Sequence, residues 1–290
     1  MEKTVQLIGV VFFLAILVFA TGCISPGEDD GEYDGGKVDV VVSILPLSEF
    51  VEKVGGERVN VAVMIPPGAT PHTYEPTPSQ LVGVSEADLF IKVGSGVEFE
   101  LVWMEKIIEQ NTEMYVVDCS EGVELIGADP HIWLSPKNAK IMVENICEGL
   151  VKADPENSAY YNSNKASYLK ELTELDNNLN EAFLGVEEKK FIVFHSSWAY
   201  LARDYGLEEV PIEEEGKEPS IEHITEVIGI AKRTNIKVVF SEPQFDPKTA
   251  ETIAEEIGGV VISIDPLAKN YTENLNGVAE EIVYSGVISG

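Results

Sequence analysis

Positive charge is scarce in this chain. Against 50 Asp and Glu there are 20 Lys and Arg, a formal net charge of −30 over 290 residues. That argues against a nucleic-acid partner, because phosphates are neutralised by a basic surface. A negative field either concentrates cations locally or simply keeps the protein soluble. Cysteine is also rare, with three in all. Cys119 and Cys147 have no zinc-motif spacing, so in an exported protein they either pair or stay as buried free thiols. Histidine is limited to four residues. Neither HExxH nor GxSxG occurs, which removes two common hydrolase signatures.

Long apolar runs are scarce as well. The unbroken one is LIGVVFFLAILVFA, residues 7–20. It falls short of the ~20 residues that cross a bilayer comfortably. It leads into Ala20-Thr21-Gly22-Cys23, small residues before a cysteine, as in a lipoprotein signal. This predicts a signal peptide over 1–22 and a lipid on Cys23, which becomes the first mature residue. Residues 23–37, containing ISPGEDDGEYDGG, read as a flexible acidic tether. An uncleaved anchor is the other reading. Both place the remainder outside the cytoplasm, held at the outer face of the cell membrane.

From Val38 onward the pattern is βα repeated. Strand-length apolar runs occur at 38–45, 59–65, 88–94 and 114–120, then at 190–195, 206–212, 236–242 and 259–265. They are rich in Val and Ile and mostly continuous, as in parallel strands covered on both faces. This predicts an α/β protein with two domains, residues 38–153 and 186–290. Each carries a four-stranded parallel sheet flanked by helices. Residues 154–185 read as one long linking helix. Asp154 is its expected N-cap and Pro155 its first residue. Leu172, Leu175, Leu179 and Ala182 form its apolar stripe, and Gly185 stops it. At ~1.5 Å per residue such a helix spans roughly 45 Å and acts as a rigid strut.

Three of the four histidines fall at equivalent places. His72 lies in GATPHTYEPTPSQ after the second strand. His131 lies in DPHIW after the fourth, and His195 in FHSSW ends the fifth. Asp265, in IDPL, ends the eighth. Open parallel sheets bind ligands just beyond the carboxyl ends of their strands. Two candidates come from each domain, so all four converge if the domains face each other. Three imidazoles and one carboxylate suit a divalent first-row metal such as Zn2+. His223, in PSIEHITEVIGIAK, reads as the first turn of an ordinary amphipathic helix.

These segments, with ADLFIKVGSGVE, EPSIEHI and EPQFDPKTAETIAEEIG, resemble the metal-binding lipoproteins of ABC importers for zinc and manganese. These are the ZnuA/TroA-like solute-binding proteins, and the likeness spans about residues 38–288. It implies two four-stranded domains joined by a backbone helix, with one metal at their interface. Carried over residue by residue, it makes His72, His131, His195 and Asp265 the metal ligands. The expected protein is a monomer and not an enzyme. It captures Zn2+, or alternatively Mn2+, and hands it to an ABC permease in the membrane. Two departures stand out. The region EGVELIGAD before His131 has no histidine, where zinc-specific members often carry a His-rich loop. The manganese members usually have Glu where this chain has His195.

Neighbouring residues also have readings. Glu75, Asp129 and Glu242 are candidates to accept the second ring N–H of a ligating histidine. Trp133 and Trp198 are expected in the cleft wall or core, and Phe99, Trp103 and Tyr200 in the core. A zinc-dependent hydrolase and a surface adhesin on the same fold are the competing functions. The hydrolase would need a coordinated water in an open cleft.

Overall fold

The computed structural model describes residues 36–214 and 216–289. The apolar run, Cys23 and the acidic stretch up to Gly35 lie outside them. Strands β1 (Val38–Val42), β2 (Val59–Val63), β3 (Leu89–Lys92) and β4 (Tyr115–Asp118) form one sheet in the order β2-β1-β3-β4. Strands β5 (Lys190–Val193), β6 (Glu208–Pro211), β7 (Val238–Ser241) and β8 (Val260–Ser263) form a second, ordered β6-β5-β7-β8. Every pairing in both sheets is parallel. The strands are shorter than the apolar runs, because the last residues of each run leave the ladder and enter the loops.

Helices α1 (Leu45–Gly55), α2 (Pro78–Ser85), α3 (Glu98–Gln110) and α4 (Pro136–Ala153) follow β1 to β4 in turn. Helix α5 (Ser158–Leu184) links the lobes, and α6 (Ala199–Tyr205), α7 (Ile221–Thr234), α8 (Lys248–Ile257) and α9 (Tyr271–Ser289) follow β5 to β8. Local chemistry sets several helix starts. Thr77 and Gln80 form a capping box at α2, and the hydroxyls of Ser135 and Ser220 accept the N–H groups of Asn138 and His223. Each satisfies an N–H that the helix itself cannot. Gly149 lets α4 lie against β4, since a Cβ there would meet the Val117 side chain at 2.4 Å.

The linking helix departs from the sequence expectation in detail. Asp154 precedes a short 3-10 turn, Pro155–Asn157, and α5 proper begins at Ser158. The Asp154 carboxylate accepts from the Tyr161 hydroxyl and the Asn157 amide, both at 2.7 Å, not from a helix N–H. Helix α5 runs 27 residues, about 40 Å at ~1.5 Å per residue. Its buried stripe is Tyr161, Tyr168, Leu172, Leu175, Leu179 and Phe183. Ala182 is exposed, and the stripe passes through Phe183 instead, four residues beyond Leu179.

One apolar core runs through both lobes. It joins Val40 and Phe90 of the first sheet to Leu172 and Leu179 of α5, and to Phe191, Phe240 and Leu275 beyond. A second core, with Ile192, Val227 and Ile253, fills the other face of the second sheet. Polar bonds stitch the same seam. The Tyr271 N–H donates to Glu49 and its hydroxyl to the Trp133 carbonyl, both at 2.7 Å. The Trp133 indole N–H donates to the Pro266 carbonyl at 2.7 Å. Tyr271 also meets Phe50 edge to face at 4.9 Å. Opening the lobes widely would expose this apolar surface and break those buried bonds. Small-angle scattering of the protein with and without Zn2+ should therefore give nearly equal radii of gyration. A compaction of several ångströms on metal addition would contradict the rigid seam.

Candidate metal centre

His72 sits on the loop between β2 and α2. Prolines 66, 67, 71, 76 and 78 restrict its backbone, and the Gln80 side chain ties it down. The Gln80 amide N–H donates to the Met64 carbonyl at 2.5 Å, while its oxygen accepts from the Thr77 N–H and the Tyr74 hydroxyl at 2.9 Å. One side chain thus holds the loop near both of its ends. His131 ends the loop after β4 and leads into a 3-10 turn, Ile132–Leu134. His195 lies two residues past β5.

The three rings meet. His195 Nε2 lies 3.3 Å from His72 Nε2 and 3.3 Å from His131 Nε2. A ligand atom from each of the three lies within 4.8 Å of the others. His131 and His195 are buried, at 7% and 6% exposure, while His72 is half-buried at the mouth. Thr70, Trp133, Gln244, Phe245 and Leu267 complete the small pocket around them. Phe245 lies flat-tilted against His195 at 4.9 Å, and Trp133 meets His131 at 5.2 Å.

Each ring has a carboxylate on its other nitrogen. His131 Nδ1 faces Asp129 at 2.7 Å, His195 Nδ1 faces Glu213 at 2.5 Å, and His72 Nδ1 faces Glu98 at 3.1 Å. For His131 and His195 the carboxylate accepts a hydrogen bond, so Nδ1 carries the hydrogen and Nε2 keeps its lone pair, turned inward. Glu98 lies beside His72 Nδ1 without forming a hydrogen bond. Burial lowers the pKa of His131, against the opposing pull of Asp129. That keeps the ring neutral, as a metal ligand must be.

More carboxylates lie beneath His195. Glu242 accepts the His195 backbone N–H at 3.3 Å. Glu209 accepts those of Ser197 and Trp198 at 2.9 and 2.8 Å. Burial pushes Glu242 up to about 9, with Glu209 and Glu213 adding repulsion and the His195 N–H opposing. Burial likewise pushes Glu209 up to about 7 against its two backbone donors. Glu242 is therefore protonated at neutral pH.

In the first lobe the crevice between β1 and β3, where open sheets usually bind ligands, is filled from α3. Glu100 accepts the Ser43 hydroxyl at 2.6 Å and the N–H groups of Val93 and Gly94 at 2.7 and 2.9 Å. The histidines meet between the lobes.

Of the residues singled out from sequence, His72, His131 and His195 come together and Asp265 does not join them. Asp265 is half-buried, and its Oδ1 accepts from the Gln244 amide at 2.7 Å and the Leu267 N–H at 2.9 Å. Among the ring partners only Asp129 was expected. Glu75 is exposed, and Glu242 serves the His195 backbone instead of its ring. Glu98 and Glu213 were missed. Glu213 had a legible signal: it lies two residues past β6, the neighbour of β5, in a register that sets it beside His195. Its N–H donates to the Phe194 carbonyl at 3.0 Å. His223 stands apart in the first turn of α7, with Nε2 near the Pro211 carbonyl at 3.0 Å. Trp133, Trp198, Phe99 and Tyr200 are buried, whereas Trp103 is only partly so. Cys119 and Cys147 are both buried and free.

The family model of the periplasmic zinc-uptake complex component A, ZnuA, matches residues 40–284. The high-affinity zinc uptake system protein ZnuA of Bacillus subtilis is 32% identical over 278 residues, covering 88% of this chain and 86% of that protein. The manganese-binding lipoprotein MntA of Halalkalibacterium halodurans is 30% identical, covering 90% and 87%. A crystal structure of ZnuA superposes with a TM-score of 0.84 at 43% identity, covering 86% of this chain and 99% of that one. The laminin-binding protein Lmb of Streptococcus agalactiae, described as adhesin and metal transporter, gives 0.79 at 27% identity, covering 86% and 99%. Fold, sequence and the converging histidines agree, and the chain belongs to the ZnuA family of metal-binding solute-binding proteins.

Proposed function

We propose that this protein captures Zn2+ outside the cytoplasm with His72, His131 and His195 and delivers it to an ABC permease. One observation carries the reading: His195 Nε2 lies 3.3 Å from the Nε2 atoms of both His72 and His131, and ligand atoms of all three lie within 4.8 Å of one another. Two nitrogens on a tetrahedral zinc, each about 2.0–2.1 Å from the metal, are about 3.3–3.4 Å apart. Asp265 is the fourth ligand expected from sequence, and to serve it must leave Gln244 and Leu267. Asp129 and Glu213 each accept a ring N–H, of His131 and His195, which supports orientation of ligands over general-base chemistry. The residues before Cys23 support a lipid anchor at the outer face of the membrane, and the protein acts as a monomer.

Equilibrium dialysis should find one Zn2+ per chain. His72→Ala and His195→Ala should each weaken binding by at least about tenfold, as expected for a lost inner ligand. His223→Ala should bind like the wild type. Equal loss in the His223 variant would overturn the ligand assignment.

The choice of metal turns on position 195. Zinc takes imidazole readily, whereas manganese prefers more oxygen donors and a higher coordination number. His195→Glu should narrow the zinc-over-manganese preference by weakening zinc more than manganese. A competition titration of both proteins at one pH near neutrality reads this directly, since histidine ligands must be neutral to bind. A wild type that prefers manganese, or an unchanged ratio in the variant, would make Mn2+ the better reading.

The anchor has its own test. Cys23→Ala should release the protein into the soluble fraction, and mass spectrometry of the native protein should find lipid on Cys23. An unmodified Cys23 would rule the anchor out.

A further inference from the structure

The pocket beside the three rings is lined by the Gln244 side chain, whose amide metal capture, as described so far, does not use. Gln244 follows β7 and Asp265 follows β8. The two strands run in register, Phe240 opposite Ile262 and Ser241 opposite Ser263, so the residues beyond them face each other. The Gln244 Nε2 donates to Asp265 Oδ1 at 2.7 Å, and the Leu267 N–H donates to the same oxygen at 2.9 Å. A carboxylate accepts only, which fixes the amide with nitrogen toward Asp265 and oxygen away. That oxygen, Gln244 Oε1, is buried and has no hydrogen-bond partner among the described residues.

We propose, resting on the three-imidazole reading above, that Gln244 sets the coordination number of the captured metal. Its Nε2 holds Asp265 away from the rings. Its Oε1 accepts a hydrogen bond from the water that fills the fourth position. The two ends of one amide then act together. Asp265 can join only by giving up two donors, and a buried acceptor without a donor is unfavourable. Metal-bound water is a strong donor, because the cation lowers its pKa far below that of bulk water. Three imidazoles and one water make the four-coordinate shell that zinc favours. A carboxylate swinging in beside that water, or binding through both its oxygens, would add oxygen donors and raise the coordination number above four, which favours manganese. Gln244 is thus a positioning residue for selectivity, without itself touching the metal.

Co2+ serves as the probe in the full chain, since its visible bands are intense in four-coordinate sites and weak in five- or six-coordinate ones. The wild type should show the intense bands. Gln244→Leu, close in size but unable to donate, should show weak bands. Its zinc-over-manganese preference should fall about tenfold, the low end of what outer-sphere partners contribute. Adding Asp265→Asn to that variant should restore both readouts, which a merely structural role for Gln244 would not produce. Weak bands in the wild type, unaltered readouts in Gln244→Leu, or no rescue by Asp265→Asn would each overturn the proposal. Should Gln244→Leu fail to fold, Gln244→Glu, which repels Asp265, must give the same weak bands. The underlying reading fails separately: it falls if the wild type takes up no Co2+, or if His72→Ala leaves uptake intact. If uptake depends on His72 while the Gln244 variants match the wild type, only the role of Gln244 is lost.

Discussion

A carboxylate hydrogen-bonded to Nδ1 of the two buried histidines, His131 and His195, is the interaction on which the site depends. Imidazole has two nitrogens and can present either one. The carboxylate removes that choice and turns the remaining lone pair inward. The three pairs are graded. His131 with Asp129 and His195 with Glu213 are short and buried, while His72 with Glu98 is longer and half open to water. Each carboxylate is itself fixed. Asp129 also accepts the His131 backbone N–H at 2.9 Å, and Glu213 is held where β6 runs beside β5. Glu98 stands in the first turn of α3. The orientation of the rings is therefore set by elements as rigid as the sheets.

The rings come from both lobes, so their spacing is only as well defined as the lobe arrangement. A tetrahedral site tolerates errors of a few tenths of an ångström in ligand position. The continuous apolar core and the 27-residue α5 supply that rigidity. So does the start of α9, which reaches back to Glu49 and Trp133 in the first lobe. Motion is left to the loops at the mouth, where His72 is the one half-exposed ring. Even that loop is fastened by Gln80 and by prolines.

Much of this was legible before any coordinates. Continuous Val-rich runs give parallel strands, and residues just past them mark the cleft, which picked out three of the four histidines. What stayed hidden depends on strand order. Glu213 orients His195 only because β6 lies next to β5, and chain order does not state that adjacency. Glu98 reaches His72 across a loop, with no periodic signal to announce it. Asp265 was expected among the rings, but a partner after the adjacent strand, Gln244, holds it elsewhere. Ala182 differs in a smaller detail of the linking helix. Its spacing from Leu179 fits the helical stripe, but the buried position four residues on, Phe183, offers far more apolar surface.

The acidity of the chain and its metal site are separate features. Of the acidic residues that are described, only Glu100, Glu213 and Glu242 are buried. Glu100 plugs the first sheet's crevice, and Glu242 is neutral at pH 7 because it shares a dry region with two other carboxylates. Had every carboxylate beneath His195 stayed charged, their repulsion would have been poorly screened there. The other described acidic residues are exposed or only partly buried. A surface field draws all cations alike and weakens with salt, so it cannot choose among metals. Any choice falls to the buried nitrogens, because imidazole donors discriminate among divalent metals where a diffuse surface charge does not.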